Sequence, residues 1–98
     1  MATAATDERH GLDEATRETI VRQLQRVQGQ VGGIIRMIET GRECHEVVQQ
    51  ISAASRGLHQ TGFRLLTHVL RTCIDDELAG RTPEHTEQEL ERMFLQLS

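Results

Sequence analysis

Cys44 and Cys73 are the only two thiols in the chain, and their chemistry depends on whether they can meet. Between them, apolar residues recur at intervals of three, four and seven, which predicts one continuous α-helix: Val47, Ile51, Ala54, Leu58, Leu65 and Val69. The 29-residue separation then spans about 43 Å, whereas a disulfide requires Cα atoms within about 7 Å. The thiols can therefore meet only between two antiparallel copies of the helix, with Cys44 of one chain facing Cys73 of the other.

Cys44 is placed to act as a thiolate. It falls in the first turn of the predicted helix, where the positive end of the helix and Arg42 favour the anion and Glu43 opposes it. Both sulfur chemistry and soft-metal binding require a thiolate. Cys73 lies on the same face, and taken alone it would be expected to serve as a small buried hydrophobe. The pair together indicates redox or metal chemistry.

Neither the histidines nor any known catalytic motif predicts an enzyme. His68 and Cys73 are five residues apart, or about 140° around a helix, which is poor geometry for chelation. The sequence has no phosphate loop, no Ser–His–Asp arrangement and no HExxH motif. We therefore expect neither catalysis nor an organic cofactor.

The composition predicts one small domain with a thin core. The 98 residues are 37% hydrophobic, with two Phe and no Trp or Tyr, and helical chains this lean often complete their core by association. No apolar run approaches the roughly 20 residues that span a bilayer, and the first ten residues lack a signal-peptide core. We expect a cytoplasmic protein without membrane contact, in which resting thiols are reduced.

The charge is distributed unevenly along the chain. The segment from Arg17 to Cys73 has eight Arg and four acidic residues, a net charge of +4, whereas the remainder has a net charge of −8. Every basic residue is Arg, which suits bidentate contacts to phosphate or guanine. A solvated surface with ordinary ion pairs is the alternative interpretation.

The pattern predicts an all-α chain, with residues 1–12 as a flexible tail and residues 13–98 as a single helical domain. We expect helices from Asp13 or Thr16 to about Thr40, from about Glu43 to Leu78, and from Glu84 to Leu97. One apolar stripe is predicted on the first helix: Ile20, Leu24, Val27, Val31, Ile34 and Ile38. Three glycines inside that helix predict either the close approach of another helix or a local weak point: Gly29, Gly32 and Gly33.

Three segments resemble the CsoR/RcnR family of bacterial repressors, which sense metals, formaldehyde or reactive sulfur: Arg26-Val27-Gln28-Gly29-Gln30-Val31, Gly33-Ile34-Ile35-Arg36-Met37-Ile38-Glu39, and Cys44 followed by Gln50-Ile51-Ser52-Ala53. The resemblance covers about residues 17–97. It implies a three-helix protomer that pairs antiparallel into dimers and assembles into a flat D2 tetramer. It also implies that operator DNA binds to basic and polar residues of the first two helices.

Within that resemblance, Arg26, Gln30 and Arg36 match the basic and polar pattern of the family. Arg22 lies one place before a position at which many members carry Arg, and Gln23 occupies that position here. Further DNA-binding candidates follow from charge alone: Arg56 and Arg64.

The sensing site departs from the family's copper sensors. Those members have a Cys, a His 25 residues later and a second Cys four residues after that; Cys44 and Cys73 match, but Val69 occupies the His position. Glu43 stands where the copper sensors usually have an aromatic residue, and Glu89 matches an acid that supports the sensing site from the third helix. An aliphatic side chain cannot ligate copper.

Two cysteines without the histidine resemble the CstR-like branch, in which paired thiols of neighbouring protomers take up sulfane sulfur. The leading hypothesis is therefore a DNA-binding repressor that senses persulfide or polysulfide through Cys44 and Cys73. The alternative is a Cu(I) sensor in which His68 or His10 completes the site with the two cysteines. A helical thiol enzyme or an adaptor that does not bind DNA is a third class. The sequence does not identify the operator.

Overall fold

The fold is a helical hairpin followed by a short third helix. The computed structural model describes residues 12–98 and contains α1 (Glu14–Glu39), α2 (Cys44–Leu78) and α3 (Glu87–Leu97), with no strand in that range. The all-α, three-helix protomer is therefore confirmed. His10 and almost all of the predicted tail lie outside the described residues.

Carboxylate caps fix the starts of the two long helices, and Asp13 was one of the two capping residues that the sequence offered for the first of them. Asp13 caps α1 by accepting a 2.7 Å hydrogen bond from the Thr16 amide, and Glu43 caps α2 by accepting a 2.9 Å bond from the His45 amide. The bonds from Thr16 hold the pKa of Asp13 below its usual value. Gly41, at φ +73°, ends α1 in the left-handed conformation that favours glycine. The hairpin turn between α1 and α2 is thereby fixed by local chemistry.

The third helix begins at Glu87, three residues later than predicted. The reason is a capping box: the Glu89 amide donates to Thr86 Oγ1 at 3.1 Å, and the Thr86 amide donates to Glu89 Oε1 at 2.8 Å. These reciprocal bonds satisfy two backbone donors at the helix start. Residues 80–85 therefore remain in the connection.

The protomer is a slab about one helix thick. Its principal-axis extents are 58 × 32 × 14 Å, and both α1 and α3 pack on α2. Within residues 12–98 the buried side chains are few, and none is fully enclosed: Ile20, Val47, Ala54, Thr61, Leu66, Cys73 and Leu90. The predicted thin core is thus present, because a single layer of helices leaves one side of each helix uncovered.

The single apolar stripe predicted on α1 is divided between two faces. Ile20 is buried and Val27 and Ile34 are half-buried, whereas alternate members of the predicted stripe are exposed, with Ile38 at 62%. The stripe on α2 is divided in the same way, since Ala54 is buried while others face outward, including Leu58 at 52% exposure. Each long helix therefore has an apolar face that no other helix of the protomer covers.

Close helix contacts occur at glycines of α2 rather than at those predicted on α1. A Cβ placed on Gly62 would lie 2.9 Å from Leu97 Cδ1, and one on Gly57 would lie 3.3 Å from Val27 Cγ2. A Cβ placed on Gly29 would have no neighbouring atom within 4 Å. The glycines of α1 therefore do not mediate packing within the protomer. Gly62 of α2 is the position on which Leu97, at the C-terminal end of α3, packs.

The capping box makes the docking of α3 dependent on pH. Hydrogen bonding to Thr86 lowers the pKa of Glu89. A carboxyl whose pKa is lower in the folded state contributes stability above its unfolded pKa, and that contribution is lost as the pH falls through the folded value. We expect amide hydrogen exchange in α3 of the wild type to quicken between pH 5 and pH 3, after correction for intrinsic rates.

The Glu89→Gln variant should show a weaker dependence, since its side chain does not titrate. Glu91→Gln is the matched control, because Glu91 lies on α3 but does not cap it. Equal pH profiles for the wild type and the Glu89→Gln variant would contradict this role of the capping box.

Candidate functional site

The two thiols lie at opposite ends of one unbroken helix, on nearly the same side. Cys44 is the first residue of α2 and is exposed, whereas Cys73 is 6% exposed. Their 29-residue separation equals about eight turns plus 20°, and it corresponds to about 43 Å along the axis. The continuous helix supports the prediction that they cannot meet within one protomer.

The third helix lies on the side of α2 that carries Cys73. Gly62, on which Leu97 packs, precedes Cys73 by eleven residues. Eleven residues are about three turns plus 20°, so the two residues lie on the same side of the helix. Phe63 and Phe94 also meet, with ring centroids 6.1 Å apart. From its contact with Gly62, α3 runs antiparallel to α2. Thr86, which caps α3, precedes Leu97 by eleven residues, the same separation as between Gly62 and Cys73. Thr86 therefore lies at about the level of Cys73. This register explains why Cys73 is buried while Cys44 is not.

The predicted metal-binding histidine is in a different place. The side chain of His68 lines a groove with Arg64 and Arg71 on the other side of α2, and that groove does not include Cys73. Val69 is half-buried. Among residues 12–98 there is no cluster of three or more His, Cys, Asp or Glu that could hold a metal ion. One protomer therefore supplies two separated thiols and no assembled metal site in the described region.

The two acids assigned to the sensing site are both helix caps. The carboxylate of Glu43 accepts the His45 amide hydrogen bond at the start of α2, directly beside Cys44. Glu89 belongs to the capping box of α3, and His85 Nδ1 lies 3.9 Å from its Oε1. Each acid thus fixes a helix start near a thiol, Glu43 through sequence adjacency and Glu89 through the register of α3.

A basic groove runs between α1 and α2. Arg26 and Arg56 line a groove of about 250 Å³, accompanied by polar side chains: Gln23, Gln30, Gln60 and Thr61. No carboxylate lines it. The structure therefore brings together three of the residues that the sequence assigned to DNA binding, and it adds Gln60, which sequence reasoning did not select.

A second groove continues along the same side. It has a volume of about 410 Å³ and is lined by Arg64, His68 and Arg71 together with residues at the start of α1, and no carboxylate of residues 12–98 lines it. Arg71 was not a sequence candidate, although the spacing of residues 64, 68 and 71 places all three on one helical face. We call the surface formed by the two grooves the basic face.

The remaining two candidates lie away from these grooves. Arg22 lines a shallow depression with Glu18 on the outer side of α1. The Arg36 guanidinium folds over two glycines: its Nη1 would lie 3.7 Å from a Cβ on Gly32, and its Nη2 would lie 3.9 Å from a Cβ on Gly33. A Cβ at either position would make an ordinary van der Waals contact, so the Arg36 side chain does not require glycine there.

The arginines of the basic face have no carboxylate partner. Arg42 forms an ion pair with Glu46 at 3.1 Å, and Arg81 pairs with Asp76 at 3.0 Å. In the described part of the chain, no carboxylate lies within ion-pair distance of the grooves' arginines: Arg26, Arg56, Arg64 and Arg71. Four unpaired guanidinium groups on one face constitute a surface that attracts anions.

The thiols lie on the opposite side of the hairpin. At about 100° per residue, Cys44 and Cys73 point away from the side of α2 that carries Arg64 and Arg71. Exposed apolar residues share the side of the thiols: Leu24, Val31, Ile35 and Ile38 on α1, and Val48, Ile51 and Leu58 on α2. We call this surface the thiol face. Basic and thiol faces are thus separated by the thickness of the hairpin.

Comparison with known proteins accounts for this combination of features. Residues 16–96 match the family described as metal-sensitive transcriptional repressors. The chain belongs to that family. The CsoR/RcnR resemblance predicted from the sequence is therefore confirmed, and the protein is a transcriptional repressor from a family of regulators rather than enzymes.

Relatives of this repressor include proteins named for copper sensing. The copper-sensing transcriptional repressor RicR of Mycobacterium tuberculosis is 36% identical over 74 residues, covering 76% of each chain. The copper-sensing transcriptional repressor CsoR of Bacillus subtilis is 31% identical over 78 residues, covering 80% of this chain and 77% of the relative. No solved structure matches the chain significantly. In the part described, no helix is long and apolar enough to cross a membrane.

The difference in burial predicts unequal alkylation of the two cysteines. In the folded, reduced protein, diluted until it is monomeric, we expect iodoacetamide to modify Cys44 about tenfold faster than Cys73, because α3 must open before the buried thiol can react. Peptide mass spectrometry of a time course would measure both rates. In 6 M guanidinium chloride the two rates should converge. Faster modification of Cys73 in the native protein would contradict the position of α3.

Proposed function

We propose that this repressor binds operator DNA through the basic face. The observation that carries the proposal is the line of unpaired arginines along grooves without carboxylates: Arg26, Arg56, Arg64 and Arg71. Repressors of transcription act on DNA, and guanidinium groups bind phosphate oxygens in bidentate pairs. The net charge of the whole chain is −4, so only a local concentration of positive charge can attract a polyanion.

Assembly is part of the same proposal. The exposed apolar residues of the thiol face require a cover, and a second copy of α2 in antiparallel orientation supplies one while it brings Cys44 to Cys73 of the other chain. Two such dimers then form the D2 tetramer that the family resemblance implies. Association through the thiol face leaves the basic face accessible to DNA.

Replacement of Arg26 tests the DNA surface. We expect Arg26→Ala to weaken operator binding and to reduce the slope of log K against log salt by about one, since each lost phosphate contact releases about one counterion fewer. Arg92→Ala is the matched control, because Arg92 lies on the acidic third helix. Fluorescence anisotropy across a salt series measures both slopes. Equal effects of the two substitutions would show that the basic face is assigned wrongly.

We propose reactive sulfur as the signal that releases the repressor. The observation that favours it is the donor set: two thiols, Val69 at the position of the copper sensors' histidine, and His68 in a separate groove. A Cys44 thiolate attacks a polysulfide, gains one sulfur atom and expels the shortened polysulfide. The Cys73 thiol of the neighbouring chain then attacks that persulfide, expels hydrosulfide and leaves an interchain bridge.

Cu(I) is the second candidate, and the comparisons favour it. Both relatives described above are named as copper sensors, and none of the comparisons supports reactive sulfur. Two thiolates from neighbouring chains can hold Cu(I) without a third donor. We give priority to the sulfur candidate because the relatives' names describe what those proteins sense. This chain has Val69 at the position of the copper sensors' histidine, and valine cannot bind Cu(I).

Either signal could reach the DNA surface through α3. We propose that the capping box of Thr86 and Glu89, which the register places beside Cys73, is the element that responds when the thiol is modified. Displacement of α3 would alter the packing of α2, which contributes Arg56, Arg64 and Arg71 to the basic face. Glu89 therefore acts as a positioning residue rather than as a ligand.

A direct comparison of polysulfide and Cu(I) distinguishes the candidates. We expect polysulfide to release the wild-type repressor from its operator and stoichiometric Cu(I) to leave it bound, with DNA binding followed by anisotropy. On non-reducing gels, polysulfide-treated wild type should run as a dimer that reductant returns to monomer. Cys73→Ser should accept a persulfide on Cys44 yet form no dimer, and Cys44→Ser should not respond.

Val69→His is the matched gain-of-function variant. It restores a His and a Cys at i and i+4, which lie on one helical face, and should tighten Cu(I) binding in a competition with bathocuproine disulfonate. Release of the wild type by Cu(I) but not by polysulfide would refute the sulfur candidate and establish the copper one.

A further inference from the structure

The second groove of the basic face has the composition of an anion site. It lies between the start of α1 and the second half of α2, and we call it the Arg71 groove. Its polar lining consists of three nitrogen side chains and three hydroxyls: Arg64, His68, Arg71, Thr16, Thr19 and Thr67. Its volume of about 410 Å³ is open to solvent and exceeds that of one phosphate group. An open groove with donors and without carboxylates favours a negatively charged ligand.

The positive charges in the groove are held close together by helix geometry. Arg64, His68 and Arg71 are spaced by four and three residues, so their side chains lie on one face of α2. Like charges at this spacing repel each other, and no carboxylate within ion-pair distance relieves that repulsion at Arg64 or Arg71. Binding of an anion between them would relieve it.

Charged groups face His68 from both elements that form the groove. Arg64 and Arg71 flank it on α2, and the carboxylate of Asp13 faces it from the start of α1: the pKa of Asp13 is lowered mainly by hydrogen bonds from Thr16 and, to a smaller extent, by His68. Among the described residues, none of α3 lines the groove.

We propose that the Arg71 groove is a phosphate-binding site, in which Arg64 and Arg71 supply permanent positive charge and His68 supplies a charge that depends on pH. Arginine forms bidentate pairs with phosphate oxygens, and the Thr67 hydroxyl can donate to a remaining oxygen, whereas the hydroxyls of Thr16 and Thr19 already donate to Asp13 and to the Ala15 carbonyl. Imidazole changes its charge between pH 5 and pH 8, so phosphate affinity rises as the pH falls through that range. The phosphate can belong to the DNA backbone or to a small phosphorylated molecule; only the first source rests on the proposed function.

The site is tested first without DNA. Inorganic phosphate is titrated into the full-length protein, and ¹H–¹⁵N NMR follows the amides of Thr16, Thr19 and Thr67. We expect saturable shifts in these amides, at least a fivefold loss of affinity in Arg71→Gln, and unchanged affinity in the control Arg92→Gln, whose side chain belongs to α3 and lines neither groove. The absence of saturable shifts, or equal affinity in Arg71→Gln, would overturn the proposal.

The contribution of His68 is measured against His68→Gln. The protonation of phosphate itself changes with pH in the same way for both proteins. The ratio of their phosphate affinities therefore measures the contribution of the His68 imidazole. We expect that ratio to increase about threefold to tenfold from pH 8 to pH 6, because protonation adds a charge-assisted hydrogen bond. A ratio that does not change with pH would refute the role of His68.

Addition of operator DNA identifies the source of the phosphate. If the groove holds the DNA backbone, the duplex abolishes the phosphate-induced shifts, and Arg71→Gln reduces the salt slope of DNA binding by about one. If it holds a small phosphorylated molecule, phosphate still binds in the presence of DNA and that slope is unchanged. Because the first titration contains no DNA, the phosphate site can succeed or fail independently of the operator-binding proposal.

Discussion

The unbroken length of α2 is the constraint on which the rest of the molecule depends. Its 35 residues place Cys44 and Cys73 about 43 Å apart, and neither α1 nor α3 can shorten that distance. A protomer built on so long a helix, with α1 on one side and only 11 residues of α3 on another, leaves apolar surface exposed. The same length therefore keeps the two thiols of one chain apart, and only a second chain can bring a Cys44 and a Cys73 together. The proposed thiol site thus depends on assembly.

The hairpin also separates two kinds of surface. Residues that face the seam between α1 and α2 are the buried or half-buried ones, such as Ile20 and Ala54. On one flank of that seam lie unpaired arginines, and on the other lie the exposed apolar residues and the thiols. A polyanion and a second protomer can therefore bind simultaneously, because they use opposite flanks. A signal at the thiols has to pass through α2 itself.

Helix caps and turns could be predicted from residue type, whereas the partner against which each helical face packs could not. The caps at Asp13 and Glu43 and the turn at Gly41 follow from residue type, and the capping-box spacing of Thr86 and Glu89 could have corrected the start of α3. Periodicity identified the apolar residues of α1, but residues within about 100° of one another can pack on different partners. Likewise, the position of Arg71 beside Arg64 and His68 was readable, but its proximity to α1 depends on how the helices pack.

The energetics of α3 make it the element most easily displaced by a change at Cys73. Its docking buries one side chain, Leu90, which contributes about 1.5–3 kcal/mol, and adds the contacts of Leu97 with Gly62 and of Phe94 with Phe63. Overpacking of a buried site costs typically about 1–3 kcal/mol, and one sulfur atom added to buried Cys73 would overpack the start of α3. That cost is comparable to the contribution of Leu90, so we expect modification of Cys73 to shift the equilibrium of this helix without unfolding the hairpin that carries the arginines.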